Sequence, residues 1–266
     1  MPDPKQKLYA WKELRRQEKQ EAAWLRKHKN RKEPLIHQKL DQKIPPKLKS
    51  TLNAAFVKAF SVVFQKGSGV IEKTYDKEEL KQDYQVREYA AQLKNSRKGL
   101  RTFSRDAKKT GRKNLMISGG AGIGMGILGI GLPDILLFAG IAEKNIYEIA
   151  LNYGCEYDSE EEKKFILMLI QGAVSYGEAA EAINQKIDDF IDSGEFAENM
   201  SLEEQIAATA HQLSEELLYM KFLQGIPVIG VVGGAFDAVF MKRITDYAVL
   251  KYDRRFLKKH FTESVQ

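Results

Sequence analysis

Residues 115–142 read LMISGGAGIGMGILGIGLPDILLFAGIA and hold eight of the chain's twenty glycines beside a single charge, Asp134. The 19 uncharged residues from Leu115 to Pro133, rising about 1.5 Å each in a helix, reach just far enough to cross a hydrocarbon core. Glycine adds little transfer free energy, Pro133 interrupts the run and Asp134 is costly in lipid, so length permits a span that composition makes marginal. Gly120/Gly124 and Gly122/Gly126 are small-residue pairs that let helix backbones approach closely. Three readings stay open. The segment is a hairpin that contacts or enters a bilayer, a helix pair in the core of a soluble protein, or a phosphate-cradling turn. The third rests on Gly124-Met-Gly126-Ile-Leu-Gly129, which satisfies G-x-G-x-x-G, and on Tyr247 and Lys251, which form a Y-x-x-x-K pair. A dinucleotide site also needs a strand before the glycines and repeated βα units behind them, and none is legible, so no cofactor is expected.

Residues 225–240, GIPVIGVVGGAFDAVF, echo the first segment: Gly131 precedes Asp134 by three residues, and Gly234 precedes Asp237 by three. Twelve of the twenty glycines fall in these two stretches, which reads as two glycine-faced helices packed together, with Gly230/Gly234 as the close pair on the second. Pro133 suits the first position of a helix, which would put Asp134 in a first turn where a carboxylate favours the helix dipole. The alternative brings Asp134 and Asp237 into one polar pocket. A close pair of that kind titrates jointly, one pKa raised, and would be the starting point for an enzyme of unassigned class.

Outside these segments the spacing is helical. Leu52, Ala55, Phe56, Phe60, Val63 and Phe64 share a face, as do Phe165, Leu169, Gly172 and Tyr176, and again Ile206, Ala210, Leu213, Leu217 and Met220. Asp158 followed by Glu161 reads as a helix start. No run alternates like a strand, so the class is all-α, a single helical domain. The chain of 266 residues is long enough for one large core. Residues 1–50 carry 15 Lys/Arg against 6 Asp/Glu, a balance of +9, which leaves −3 for the other 216 residues. With five of the seven prolines also in that stretch, Pro45-Pro46 reads as a boundary between a basic, partly helical extension (1–45) and the domain (46–266). Trp11 and Trp24 among the basic residues of the extension suit an anionic lipid surface, and no signal-peptide core is seen in the first 30 residues. Nucleic acid is not expected, because neither an RNP-like pattern nor metal-finger spacing accompanies the charge. A second basic run immediately precedes the apolar segment. Arg97, Lys98, Arg101, Arg105, Lys108, Lys109, Arg112 and Lys113, against Asp106, form a candidate surface for an anionic membrane.

Recognisable chemistry is sparse. Cys155 is the single cysteine, which excludes an intramolecular disulfide and multi-cysteine metal sites and fits a reducing compartment. His28, His37, His211 and His260 are scattered, and His211 reads as a helix-face residue, so no metal site is expected. Neither a P-loop nor a G-x-S-x-G elbow is present.

The order of these features resembles the EcsC family of bacterial helical proteins. The likeness is carried by the glycine-rich run ending in Leu132-Pro133-Asp134, by Ile149-Ala150 and Tyr153-Gly154, and by the acidic helix start before Phe165-Ile166-Leu167. The block Ile226-Pro227-Val228-Ile229-Gly230 and the basic, aromatic helix from Tyr247 to Phe261 complete it. It covers roughly residues 50 to 260. Many relatives have asparagine in place of Asp237, which argues against catalysis by that carboxylate. The resemblance implies association with membranes or with an ABC transporter system and no established reaction. The expectation is a non-enzymatic accessory protein on the cytoplasmic face of the membrane, peripheral or hairpin-inserted. Its alternatives are an enzyme using Asp134 and Asp237, or a module whose basic tail binds a partner or nucleic acid.

Overall fold

The structure, a computed structural model, describes residues 4–29, 44–67, 72–94, 96–125, 132–197, 200–223 and 235–263. Among them are nine α-helices and no strand: α1 (Pro4–Lys29), α2 (Pro46–Ser61), α3 (Lys77–Lys94), α4 (Arg97–Met125), α5 (Leu132–Asn152), α6 (Glu160–Val174), α7 (Gly177–Ser193), α8 (Leu202–Leu223) and α9 (Ala235–Glu263). The all-α reading holds, and the helices form one domain with a continuous core.

The last helix sits at the centre. α9 touches α1, α4, α5, α6 and α7, and from Phe240 to Leu257 it buries residues on every side, including Tyr247, Lys251, Tyr252 and Asp253. A helix apolar or buried all round needs partners all round, which these five neighbours supply. α4 lies along α9 in antiparallel register: Phe103 packs against Phe256 with ring centroids 4.3 Å apart and the planes tilted by 37°, and one face of Gly111 meets Thr245. α4 and α9 therefore pack together over 103–111 and 245–256, outside the glycine-rich segments themselves. Gly120, Gly122 and Gly124 fall within α4, whereas Gly126, Gly230 and Gly234 lie outside the described residues.

Local signals explain the ends. The cap of α6 is Ser159 rather than Asp158: its hydroxyl accepts from the Glu162 N–H at 3.1 Å, while Asp158 takes Lys77 at 3.0 Å. α8 opens on a reciprocal box, Glu204 N–H to Ser201 Oγ at 3.2 Å and Ser201 N–H to the Glu204 carboxylate at 2.8 Å.

Composition sets residues 1–45 apart, but packing does not set α1 apart. α1 docks against α9, α7 and α4, burying Ala10, Glu13, Gln17, Glu21 and His28. Trp24 stacks between His28, 3.8 Å between centroids, and Tyr247, 4.3 Å, so this tryptophan packs on the core. Most of the basic residues face outward while Glu13 and Glu21 face inward, which a charge count cannot resolve.

After α5 the chain reverses through Gly154, at φ 72°, where the Cys155 N–H returns to the Ala150 carbonyl at 2.9 Å. A Cβ at Gly154 would overlap the Tyr84 ring as well as strain the backbone. Gly154→Ala is expected to lower the unfolding free energy by about 1–3 kcal/mol, read as a shift in urea midpoint at constant slope.

Candidate functional site

Helix α4 owes its orientation to spacing. Phe103, Ala107, Gly111 and Asn114 recur every three or four residues and are buried. The basic residues occupy the rest of the circumference: Arg97 is half-buried, and Lys98, Arg101, Arg105, Lys108, Lys109, Arg112 and Lys113 are exposed. At the start of the helix this charge is matched from within. Glu13 of α1, 1% exposed, accepts from Arg97 at 2.6 Å, Arg101 at 2.8 Å and Arg16 at 2.7 Å. Burial pushes the Glu13 carboxyl upward, but hydrogen bonds from Arg101 and Arg97 outweigh it and hold the group below its usual range. Asp106 takes Arg87 at 3.2 Å and Arg105 at 3.4 Å. Lys98, Lys108, Lys109, Arg112 and Lys113 make no ion pair among the described residues, which leaves a one-signed face on a rigid helix.

A second concentration of charge is sealed inside. Lys251, 0% exposed, donates to Glu21 and to Asp188, each at 2.7 Å, and Arg254 lies 3.2 Å from Asp188 and 3.6 Å from Glu21. Asn184 donates to both carboxylates at 3.0 Å and accepts from the Tyr247 hydroxyl at 2.9 Å. Gln17 reaches the Leu250 carbonyl at 3.0 Å. The Tyr247–Lys251 pair that matches Y-x-x-x-K therefore joins three helices. Burial pushes both carboxyls up; the attraction of Lys251 holds Glu21 ionised and well down, while repulsion from Glu21 leaves Asp188 raised. The legible signal for this network is the recurrence of Glu13, Gln17, Glu21 and His28 at helical steps in a segment that otherwise reads as a solvated tail. Removing the shared cation leaves the two buried carboxylates facing each other with Arg254 alone between them and an uncompensated negative charge. Lys251→Ala is expected to cost about 3–5 kcal/mol in equilibrium unfolding, with α1 becoming the first segment open to proteolysis.

A third polar group lies between α5, α6 and the turn Glu72–Thr74. The Tyr147 ring stacks on Tyr157 at 3.8 Å, and its hydroxyl donates to Glu143 at 2.7 Å. Tyr157 donates to Glu72 at 3.0 Å and shares a 2.6 Å hydrogen bond with Tyr75. The second oxygen of Glu143 is buried without a hydrogen-bond partner. Burial pushes this carboxyl from 4.5 up to about 8, against the Tyr147 hydrogen bond and the attraction of Lys163, with Glu72 adding to the rise. The folded chain keeps a proton that the unfolded chain releases. This stabilisation is complete below the unfolded pKa of 4.5 and is lost as pH rises toward about 8, at up to about 1.4 kcal/mol per pH unit. Glu143→Gln, which keeps an acceptor for Tyr147 and cannot ionise, is expected to flatten the Tm–pH curve over that window. Its Tm should match the parent's at the acid end and exceed it at the alkaline end.

The remaining sequence candidates lie on several elements. Asp134 and Asp237 are each the third residue of a helix, α5 and α9, the first-turn placement; their side-chain surroundings lie outside the described residues. His211 is exposed on α8 beside Glu215 at 3.7 Å. Burial pushes the Cys155 thiol up to about 11, so it is not primed as a nucleophile. Among the described residues no group of three His, Cys, Asp or Glu could hold a metal ion, and no helix is long and apolar enough to cross a membrane.

The family model described as the EcsC protein family matches residues 9–257, a range that takes in most of α1. Comparison with the curated proteins and with the solved structures returns no match.

Proposed function

The chain belongs to the EcsC protein family, and from that premise we propose that it is a non-enzymatic helical accessory protein, held peripherally at the cytoplasmic face of the membrane by the outer face of α4. One observation carries this reading: the exposed cations of α4 form a single face, and five of them have no ion-pair partner among the described residues. Each Lys or Arg at an anionic bilayer surface contributes about 1 kcal/mol, an attraction that salt screens within a Debye length of about 10 Å. Five such residues on a helix pinned by α9 reach the strength of a useful reversible anchor. Their positions are set in advance, so little ordering entropy opposes binding. Components of an ABC transporter system are the partner class that the family implies for a protein held in this place.

Cosedimentation with vesicles tests the reading. The protein is expected to bind vesicles containing anionic phospholipid, to ignore zwitterionic ones, and to weaken steeply as salt is raised. Replacing Lys108, Lys109, Arg112 and Lys113 together by glutamine should weaken binding on the order of 100-fold or more, with far-UV circular dichroism unchanged. Equal binding by parent and variant would remove the basis of the proposal.

A further inference from the structure

Three large apolar side chains stand out on the surface. Val86, Tyr89 and Leu93 of α3 are 68%, 65% and 68% exposed, whereas the other exposed large apolar residues among those described lie between 37% and 46%. Their spacing of three and four puts them on one stripe of α3, with Ala90 on the same arc. Ala90 also lines a cleft of about 520 Å³ between α3 and α4, together with Lys98, the hydroxyl-bearing Ser96 and Thr102, and Arg87 and Arg105, which both pair with Asp106. The cleft is thus bordered by an apolar stripe on its α3 side and by the basic face on its α4 side. Lys98, without an ion pair among the described residues, and the Ser96 hydroxyl give it the chemistry of an anion site, while Arg87 is held by Asn152 and Asp106. Ser96 accepts from the Gly99 N–H at 3.2 Å, which leaves its own proton available to donate.

We infer that the α3–α4 pair is the bilayer-docking edge of the protein. The Val86–Tyr89–Leu93 stripe enters the boundary between headgroups and acyl chains, and the cleft takes the phosphate of an anionic phospholipid. The inference rests on the peripheral reading above and makes it specific. Charge alone would need only α4, whereas an apolar stripe beside a cationic cleft matches the layered chemistry of a lipid surface, phosphate outside and hydrocarbon beneath. A tyrosine within the stripe suits the interfacial depth, where its ring is in hydrocarbon and its hydroxyl is wet. The bilayer is favoured over a protein partner because the apolar stripe Val86–Leu93 in the C-terminal half of α3 adjoins the exposed cations from Lys98 to Lys113 of α4, while the exposed carboxylates Glu78, Glu79 and Asp83 keep to the N-terminal half of α3.

The test uses the full chain with Cys155→Ser and an environment-sensitive fluorophore attached at Leu93→Cys. On vesicles containing phosphatidylglycerol, the emission should shift to the blue and be quenched by lipids brominated near the headgroup. Val86→Ser/Tyr89→Ser/Leu93→Ser should bind at least about 10-fold more weakly and lose the part of the binding that survives high salt. Lys98→Gln/Arg105→Gln should lower affinity for phospholipid vesicles by about 10-fold and leave binding to phosphate-free vesicles of equal charge, made anionic by fatty acid, much less affected. Binding that needs Lys108 to Lys113 but leaves the label at position 93 in water overturns the docking edge and leaves the peripheral anchor standing. Absence of vesicle binding overturns both. Inorganic phosphate that titrates against Lys98 and Arg105 while vesicles leave position 93 unchanged would assign the cleft to a soluble anion, and would equally overturn it.

Discussion

A fully buried ammonium is the constraint around which this fold is organised. Lys251 has no access to water, so its charge is tolerable only while Glu21 and Asp188 stay within hydrogen-bonding distance. Those carboxylates arrive from α1 and α7. One side chain on the central helix therefore dictates where the first helix must lie and how the α7 helix must be rotated. Arg254, Asn184 and Tyr247 complete the coordination, and the aromatic stack of Trp24 on Tyr247 closes its edge. Buried ion pairs of this kind return little net stability over a well-packed apolar substitute, because desolvation consumes most of the attraction. Their effect is on register. An apolar α1 could slide along α9 by a turn at small cost, whereas Glu21 has one place to go.

The same logic recurs through the interior. Glu13 gathers three arginines, Glu162 accepts from Tyr252 at 2.7 Å and Arg255 at 2.6 Å, and Asn145 donates to Thr245 at 2.6 Å across the α5–α9 contact. Each of these polar groups is paired with one from another helix, and most involve α9 or α1. With the inner positions of these helices occupied by paired charge, the cations that have no ion-pair partner among the described residues lie on outer surfaces, on α4 and also on α1 at Lys12, Lys19, Arg26 and Lys27. The separation of matched charge inside from unmatched charge outside is what gives the protein a directional face despite a modest net charge of +6.

The helical class was legible because apolar side chains at 3.6-residue spacing report burial directly, as Phe56, Phe60 and Phe64 or Phe165 and Leu169 do. The basic face of α4 was legible for the complementary reason: long cationic side chains interleaved with Phe103 and Ala107 have to point outward. The docking of α1 was not. Its buried face is made of Glu13, Gln17 and Glu21, residue types that are usually solvated, and their burial depends on cations more than 80 residues away along the chain. The buried state of Glu143 was hidden likewise, since a carboxyl that keeps its proton looks the same in sequence as one that ionises. The exposed stripe on α3 was missed because Val86, Tyr89 and Leu93 have the spacing of a core face, and only the packing shows that the neighbouring helices lie on the other side.

The pairing of first and last helices has a consequence for how the molecule comes into being. Glu21 and Lys251 are 230 residues apart, so on a ribosome adding about 5–20 residues per second α1 emerges roughly 10–50 seconds before the helix that receives it. Through that interval the emerging chain lacks the helix on which α1, α4, α5, α6 and α7 pack. α1 waits with a face of glutamate and glutamine in place of leucine, compatible with water and with little tendency to bind the wrong apolar surface. The polar seam that makes the finished contact specific is thus also one that suits water until α9 has been made.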